Sequence, residues 1–285
     1  MKNETIYDAV HERYATAANA KEDHAYGKAV ATEFGYSVEE LANIPEDANL
    51  GLSCGNPFAL ANLKEGETVC DLGSGAGFDV FLAAKKVGAS GKVIGIDVNK
   101  DMLKKANQIK EKTQANNVSF VESPITKIAL PDGSVECIIS NCVINLVPET
   151  EKQLVFNEMA RILKPGGRVA ISDILAKKEL PSRVKDNMAL YVGCIAGASQ
   201  VEGYDMYLRT AGFNDSLIVN DKSDLNVYTT AQQDKTVGGA ASGCCGPVST
   251  GCCSNGAPST ADEEDAKNID FNEFAGSYKI YALKP

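Results

Sequence analysis

A glycine-rich loop directly follows a short apolar run in this sequence, and few protein folds use that combination. The run 69–72 leads into Gly73, Gly75 and Gly77, after which a helical pattern begins. Glycine permits left-handed backbone and lets a ligand approach the main chain closely. A dinucleotide fingerprint would need a further glycine where Phe78 stands, so the loop favours a nucleoside over a pyrophosphate.

An acidic residue follows at the distance expected for a ribose contact. Asp97 is 20 residues beyond Gly77, at the end of the next apolar run, where a carboxylate can accept both ribose hydroxyls. Asp71 could bind the amino group of the cofactor or orient the loop, Ile125 could back an adenine ring or belong to the core, and Asn141 completes the predicted site. These features predict S-adenosylmethionine as cofactor. A plain βα turn with an unrelated acidic residue is the alternative.

Short apolar runs alternate with helical patterns from residue 68 onward, which is typical of a parallel sheet with crossover helices. The sequence predicts strands at 68–72, 92–97, 118–122, 135–140 and 168–172, with helices at 79–87, 100–113 and 151–163. The predicted fold class is α/β: a doubly wound, mostly parallel sheet of the class I methyltransferase type with a helical cap and insertion. The predicted parts are an N-terminal helical cap (1–60), a cofactor-binding core (61–232) with substrate-binding helices inserted near 180–212, a flexible cysteine-rich insertion (233–272) and a final sheet strand (273–285).

Composition excludes several classes of partner. The formal charge of −10, without a clustered basic stripe, argues against nucleic acid. The N-terminal segment is polar and amphipathic, which predicts neither a secretory signal nor a membrane span. We therefore expect a cytoplasmic protein, monomeric, whose nine cysteines are mostly thiols.

Three of the cysteines fall where the predicted fold converges on the cofactor site. Cys54 precedes the first strand, Cys142 follows the fourth, and Cys194 lies in the inserted helices. Thiolates acting together bind soft trivalent ions well, so these three form a candidate metalloid site. Cys70 and Cys137 lie within predicted strands and are expected to be small core residues.

Four segments, in this order along the chain, carry a resemblance to a known family. They are Gly51-Leu52-Ser53-Cys54-Gly55-Asn56-Pro57, Asp71-Leu72-Gly73-Ser74-Gly75-Ala76-Gly77, Ser140-Asn141-Cys142-Val143-Ile144-Asn145-Leu146 and Gly193-Cys194-Ile195-Ala196-Gly197-Ala198. Together they resemble the arsenite S-adenosylmethionine methyltransferases. The resemblance implies that Cys142 and Cys194 retain arsenic through every cycle, whereas Cys54 joins them to bind arsenite and takes part in disulfide exchange. Members often carry a further cysteine upstream, and this chain has none before residue 54.

The resemblance also implies an activity. Arsenite or its thiol conjugates, and then methylated arsenicals, would be methylated by in-line attack of the arsenic lone pair on the methyl sulfonium, with thioredoxin or glutathione as external thiol reductant. Such a displacement needs no strong base, and the only histidines, His11 and His24, lie in the predicted cap. A methyltransferase for a small organic acceptor and a protein that sequesters or senses metalloids are the alternatives.

The predicted insertion contains two vicinal cysteine pairs. Such pairs could capture trivalent arsenicals and raise the local substrate concentration, but their spacing also suits zinc binding or metal scavenging. The four residues are Cys244, Cys245, Cys252 and Cys253.

Overall fold

A mostly parallel sheet forms the centre of the molecule in the computed structural model, which describes residues 2–20, 23–185, 187–188, 191, 193–226 and 270–285. Within these residues the strand order is β3-β2-β1-β4-β5-β7-β6, and β7 runs in the opposite direction to the other six strands. The strands are β1 (Thr68–Leu72), β2 (Lys92–Asp97), β3 (Val118–Glu122), β4 (Val135–Asn141), β5 (Leu163–Ala176), β6 (Asp215–Asn220) and β7 (Ala275–Leu283).

Helices cover both faces of the sheet and its carboxyl edge. They are α1 (Asn3–Asn19), α2 (His24–Glu33), α3 (Val38–Ala42), α4 (Phe58–Ala61), α5 (Phe78–Val87), α6 (Lys100–Thr113), α7 (Lys152–Ile162), α8 (Ser182–Lys185), α9 (Val201–Thr210) and α10 (Phe271–Phe274), with 3-10 turns at Glu46–Ala48 and Ile144–Leu146. No helix among the residues just given is long and apolar enough to cross a membrane.

The core has a layer on each side of the sheet because the central strands are apolar on both faces. On one side α7 and α9 bury Phe156, which stacks on Tyr207 and meets the edge of Tyr204. On the other side α5 and α6 pack against the strands, with Val80 and Met102 almost fully buried. A third apolar cluster lies at the carboxyl edge, where α2 meets the loops that carry the candidate thiols.

The N-terminal helices close over this edge. The backbone carbonyl of His11 in α1 accepts a 3.0 Å hydrogen bond from Asn99, which follows β2. One turn earlier in the same helix, the Tyr7 hydroxyl donates to the Glu151 carboxylate at 2.6 Å. Helix α1 therefore spans the loops after β2 and β4 and forms one wall of the space above the sheet.

The structure confirms the predicted α/β class, the five predicted strands and the final strand. β5 is longer than predicted, because β7 pairs with it continuously from Arg168 to Ala176. β6 was not predicted: exposed and half-buried residues alternate along this edge strand, so its apolar pattern is weak. Most of the predicted insertion, residues 233–269, lies outside the described residues, and so do its four cysteines.

Candidate functional site

The glycine loop forms a sharp turn between β1 and α5. Gly73, Gly75 and Gly77 have φ angles of +69°, +52° and +92°, a region that residues with a side chain rarely adopt. The Gly75 amide donates to the Asp97 carboxylate at 2.8 Å, which ties the loop to the end of β2. The sequence therefore places glycine where the backbone requires it.

A cavity of about 530 Å³ lies above this loop. Gly77 is not part of its lining and instead precedes the first residue of α5. Predicted cofactor-site residues in the wall are Asp71, Gly73, Gly75, Asp97, Ile125 and Asn141, and the candidate thiol Cys142 is also part of it. A cavity of this size, with mostly apolar walls and a few convergent polar groups, is typical of a small-molecule site.

Buried carboxylates give the cavity an acidic wall. Burial raises the pKa of Asp71 well above its usual range, and the charges of Asp79 and Asp97 raise it further. Burial also raises the pKa of Asp79, to about 6, although Tyr36 and Asn141 donate hydrogen bonds to it. A cationic ligand in the cavity would favour the ionised form of these carboxyl groups and offset the cost of their burial.

One buried hydroxyl in the wall has no hydrogen-bond partner among the described groups. Ser74 Oγ is inaccessible to solvent, and Ser74 belongs to the cavity lining. A buried polar atom without a partner costs free energy unless a ligand or water satisfies it. Together with the glycine turn and the acidic wall, this atom makes the cavity suitable for a polar, positively charged nucleoside.

Cys54, Cys142 and Cys194 converge beside the cavity. Their sulfur atoms all lie within 4.8 Å of one another, and all three residues are buried. Cys54 and Cys142 are paired as a disulfide with their Cα atoms 5.7 Å apart, within the usual range for such a bond. The Cys194 thiol donates to the Cys142 carbonyl at 3.0 Å. When reduced, this cluster offers three soft ligands to one ion.

Two of these cysteines have unusual backbone conformations. Cys142 and Cys194 have φ angles of +58° and +67°, in the left-handed region that non-glycine residues seldom occupy. Such conformations persist where surrounding contacts impose them, and they are concentrated at functional sites. Both residues are among the three cysteines that the sequence identified as candidate ligands.

Asn141 connects the thiol cluster to the cavity. Its amide nitrogen donates to the Gly55 carbonyl at 2.8 Å, and its oxygen accepts from the Cys54 amide at 3.2 Å. The same nitrogen lies 3.1 Å from an Asp79 carboxylate oxygen, whose partner oxygen accepts from Tyr36 at 2.6 Å. Asn141, predicted as a cofactor contact, thus fixes the Cys54 loop against β4 while lining the cavity.

Sequence reasoning missed Tyr36 and Asp79. The signal for Asp79 was its place in the first turn of α5, where a carboxylate is favoured by the helix dipole. Tyr36 gave no local signal, because its role depends on how the cap docks on the sheet.

Cys70 and Cys137 are buried in strands as predicted, and burial raises the pKa of Cys137 to about 12. A thiol that remains protonated is a poor ligand.

Comparison with known proteins places this arrangement in a family. Residues 63–226 match the family model described as a methyltransferase domain. The chain belongs to that family.

Curated relatives confirm the resemblance stated from the sequence. Over 179 residues this chain is 48% identical to the arsenite methyltransferase of Halobacterium salinarum, covering 63% of this chain and 45% of that protein. It is 40% identical over 167 residues to the arsenite methyltransferase of Aquipseudomonas alcaligenes (56% and 48%) and 35% identical over 185 residues to that of Homo sapiens (61% and 48%). The chain spans about half the length of these relatives.

Solved structures agree on the fold. The crystal structure of an arsenic(III) S-adenosylmethionine methyltransferase from Chlamydomonas reinhardtii superposes with a TM-score of 0.57 at 25% identity, over 90% of this chain and 73% of that one. A phosphoethanolamine N-methyltransferase from Haemonchus contortus gives a TM-score of 0.60 at 17% identity, over 96% and 60% of the two chains. The second similarity shows the shared fold alone.

Proposed function

We propose that this protein uses S-adenosylmethionine to methylate trivalent arsenic, first arsenite and then methylated arsenicals. The observation that carries the proposal is the position of Cys142, which belongs both to the cavity wall and to the three-thiol cluster. Arsenic bound by these thiols would therefore lie next to any ligand of the cavity. The curated relatives named above support arsenic as the acceptor.

The chain offers suitable contacts for each part of the cofactor. The glycine loop and Asp71 would hold its amino acid portion, Asp97 would accept the ribose hydroxyls, and Ile125 would back the adenine. When bound, S-adenosylmethionine supplies a methyl group on a positively charged sulfonium. The buried carboxylates of Asp71 and Asp79 favour such a cation in the cavity.

The thiols hold the acceptor and balance its redox chemistry. Three thiolates bind As(III) through sulfur and leave its lone pair free to attack. Alignment of reactants can supply effective molarities of about 10⁵ M or more, and this is the main contribution we assign to the cluster. Forming the arsenic–carbon bond raises arsenic to the pentavalent state, and two electrons from a thiolate pair restore As(III) and leave a disulfide. An external thiol, supplied by thioredoxin or glutathione, then reduces the disulfide.

We assign the disulfide step to Cys54 and Cys142, which are paired as a disulfide in the structure with their Cα atoms 5.7 Å apart. This assignment departs from the role that the resemblance implies for Cys142, because a disulfide-bonded sulfur cannot retain arsenic during that step. This redox cycle belongs in a reducing compartment, so we place the protein in the cytoplasm. We keep the division into a cap (1–60), a core (61–232), a cysteine-rich insertion (233–272) and a final strand (273–285) as a proposal.

A single-turnover assay tests the proposed function. Purified protein is mixed with S-adenosylmethionine, arsenite and a dithiol, and the arsenic species are separated by chromatography. We expect methylated arsenic from the parent protein and from Cys137→Ser, a matched control at a buried cysteine outside the cluster, but none from Cys142→Ser or Cys194→Ser. Cofactor binding without methylated arsenic would favour an organic acceptor, and failure to bind S-adenosylmethionine would favour a sequestering protein.

A further inference from the structure

The loops that carry Cys142 and Cys194 touch each other through their backbones. A Cβ atom on Gly197 would lie 2.1 Å from the carbonyl oxygen of Asn145, so no larger residue fits without moving one loop. The Tyr191 hydroxyl donates to the Val147 carbonyl at 3.1 Å, which adds a second tie between the same segments. The separation of the two thiols is thus set by a contact between loops, three residues beyond each cysteine.

A buried lysine fixes this contact. The side chain of Lys152, at the start of α7, is 0% exposed. Its ammonium group donates to the Gly197 carbonyl, to Ser199 Oγ at 2.7 Å and to the Glu149 carboxylate at 2.9 Å. Lysine is almost never fully buried unless it is paired, and here all three of its donors are used. Two of the three acceptors belong to the Cys194 loop.

The Cys142 loop is fixed from the opposite side. Asn145 Nδ2 donates to the Asp173 carboxylate at 2.8 Å and to the Ile174 carbonyl at 2.6 Å, both on β5. The Tyr204 hydroxyl in α9 donates to the second oxygen of Asp173 at 2.8 Å. All of these side chains are buried, so the network is shielded from water, although Asn145 Oδ1 has no hydrogen-bond partner among the described groups.

We propose that Lys152 is the positioning residue that holds the Cys194 loop against the Cys142 loop and so sets the distance between their thiols. Lys152 lies outside the cavity lining. Its effect is therefore on capture of the thiol-binding substrate, not on the cofactor. The identity of that substrate as trivalent arsenic rests on the proposed function, but the thiol geometry does not.

The Lys152→Met variant distinguishes a loss of thiol positioning from a general loss of folding. In Lys152→Met the freed Glu149 carboxylate can be hydrated, because that side chain is 65% exposed. The buried Asp173 loses a nearby positive charge, so the pKa of its carboxyl group rises and the group can take up a proton in the variant. We expect the KM for arsenite to rise about 10- to 100-fold, since misplacement by about 1 Å can cost about 100-fold, while the Kd for S-adenosylmethionine stays within about twofold. Lys104→Met, at an exposed position on α6, is the control.

Substitutions at two glycines test the contact between the Cys142 loop and the Cys194 loop. Gly197→Ala forces a methyl group against Asn145, whereas a Cβ on Gly203 in α9 meets nothing closer than 4.0 Å. Dibromobimane cross-links two thiols that lie close together, so it reports whether Cys142 and Cys194 are near each other. It is used on reduced protein carrying Cys54→Ser, and the linked peptides are identified by mass spectrometry. We expect Gly197→Ala and Lys152→Met to lose most of this cross-link, and Gly203→Ala and Lys104→Met to keep it.

The outcomes are distinct. Normal cross-linking and normal arsenite capture in Lys152→Met would overturn the proposal. Loss of S-adenosylmethionine binding in both Lys152→Met and Gly197→Ala would also overturn it, because the effect would then be a general loss of structure. The cross-link needs no methyl transfer, so a parent protein that fails to methylate arsenite would reject the proposed function and leave the positioning result intact.

Discussion

The packing of Gly73 against Val143 predicts that the cofactor loop and the thiol loop are energetically coupled. A Cβ on Gly73 would lie 2.2 Å from Val143 Cγ2 and 2.6 Å from Val143 Cβ. Val143 directly follows Cys142, so relief of this clash must displace one of the two loops. Reaching an ordinary contact of 3.4 Å from 2.2 Å requires a shift of 3.4 − 2.2, about 1.2 Å.

Gly75→Ala is the matched control for Gly73→Ala. Both glycines have positive φ, at +69° and +52°, so both substitutions incur a left-handed backbone cost of about 1–2 kcal/mol. Only Gly73→Ala adds overpacking, which typically costs about 1–3 kcal/mol, because the nearest atom to a Cβ on Gly75 is Met102 Sδ at 3.8 Å. We therefore expect Gly73→Ala to be about 2 kcal/mol less stable than Gly75→Ala.

A double-mutant cycle isolates the contact. Val143→Ala removes the methyl group at 2.2 Å but keeps the Cβ at 2.6 Å. Gly73→Ala should therefore be less harmful in that background, with only part of the clash relieved and a coupling of about 1 kcal/mol measured by denaturant unfolding. The same cycle with Gly75→Ala should be additive within about 0.5 kcal/mol. Additivity in both cycles would refute the coupling of the two loops through Val143.

Further predictions concern pH, the cap and the insertion. Burial raises the pKa of Asp79 from 3.8 to about 6, so the folded state binds this proton more tightly. The resulting stability, up to about 3 kcal/mol, is present below pH ~4 and is lost as pH rises through ~6. Because burial also raises the pKa of Asp173 to about 6, unfolding curves of Asp79→Asn should show a smaller loss of stability across this window than the parent protein, and an equal loss would contradict the assignment to Asp79. Tyr7→Phe removes the hydrogen bond between α1 and the Glu151 carboxylate, which we expect to cost about 1 kcal/mol. Stopped-flow measurements should then show that product dissociates about fivefold faster. An unchanged rate of dissociation would show that α1 does not control product release. The insertion contains Cys244, Cys245, Cys252 and Cys253. If these cysteines capture arsenicals, replacing all four by serine should raise the apparent KM at low arsenite and leave kcat nearly unchanged. Unchanged kinetics would reject capture.

Local sequence patterns were sufficient to predict the central sheet and the place of the thiols. Each of strands β1 to β5 contains a short apolar run, and parallel strands bring their carboxyl ends to one edge. Cys142 follows β4 at that edge, so its proximity to the glycine loop could be expected from topology alone. The edge strand β6 was missed because only alternate residues, such as Ile218, pack against the core.

Features that depend on tertiary packing could not be predicted in the same way. The left-handed backbone at Cys142 and Cys194 has no local sequence signature, since both are ordinary L-residues. Lys152 lies on an amphipathic helix, where a lysine is normally expected to face solvent, and its burial depends on acceptors 45 and 47 residues away. Tyr36 likewise finds its partner Asp79 only when the cap docks.

Arsenic K-edge X-ray absorption tests most directly whether the three converging thiols bind the acceptor. Reduced protein, with Cys244, Cys245, Cys252 and Cys253 replaced by serine, is loaded with one equivalent of arsenite. The predicted arsenic environment has three sulfur neighbours, reduced by one in each of Cys54→Ser, Cys142→Ser and Cys194→Ser and unchanged in Cys137→Ser. An oxygen-dominated shell in the parent protein, or a sulfur shell that survives all three cluster substitutions, would contradict the three-thiol site.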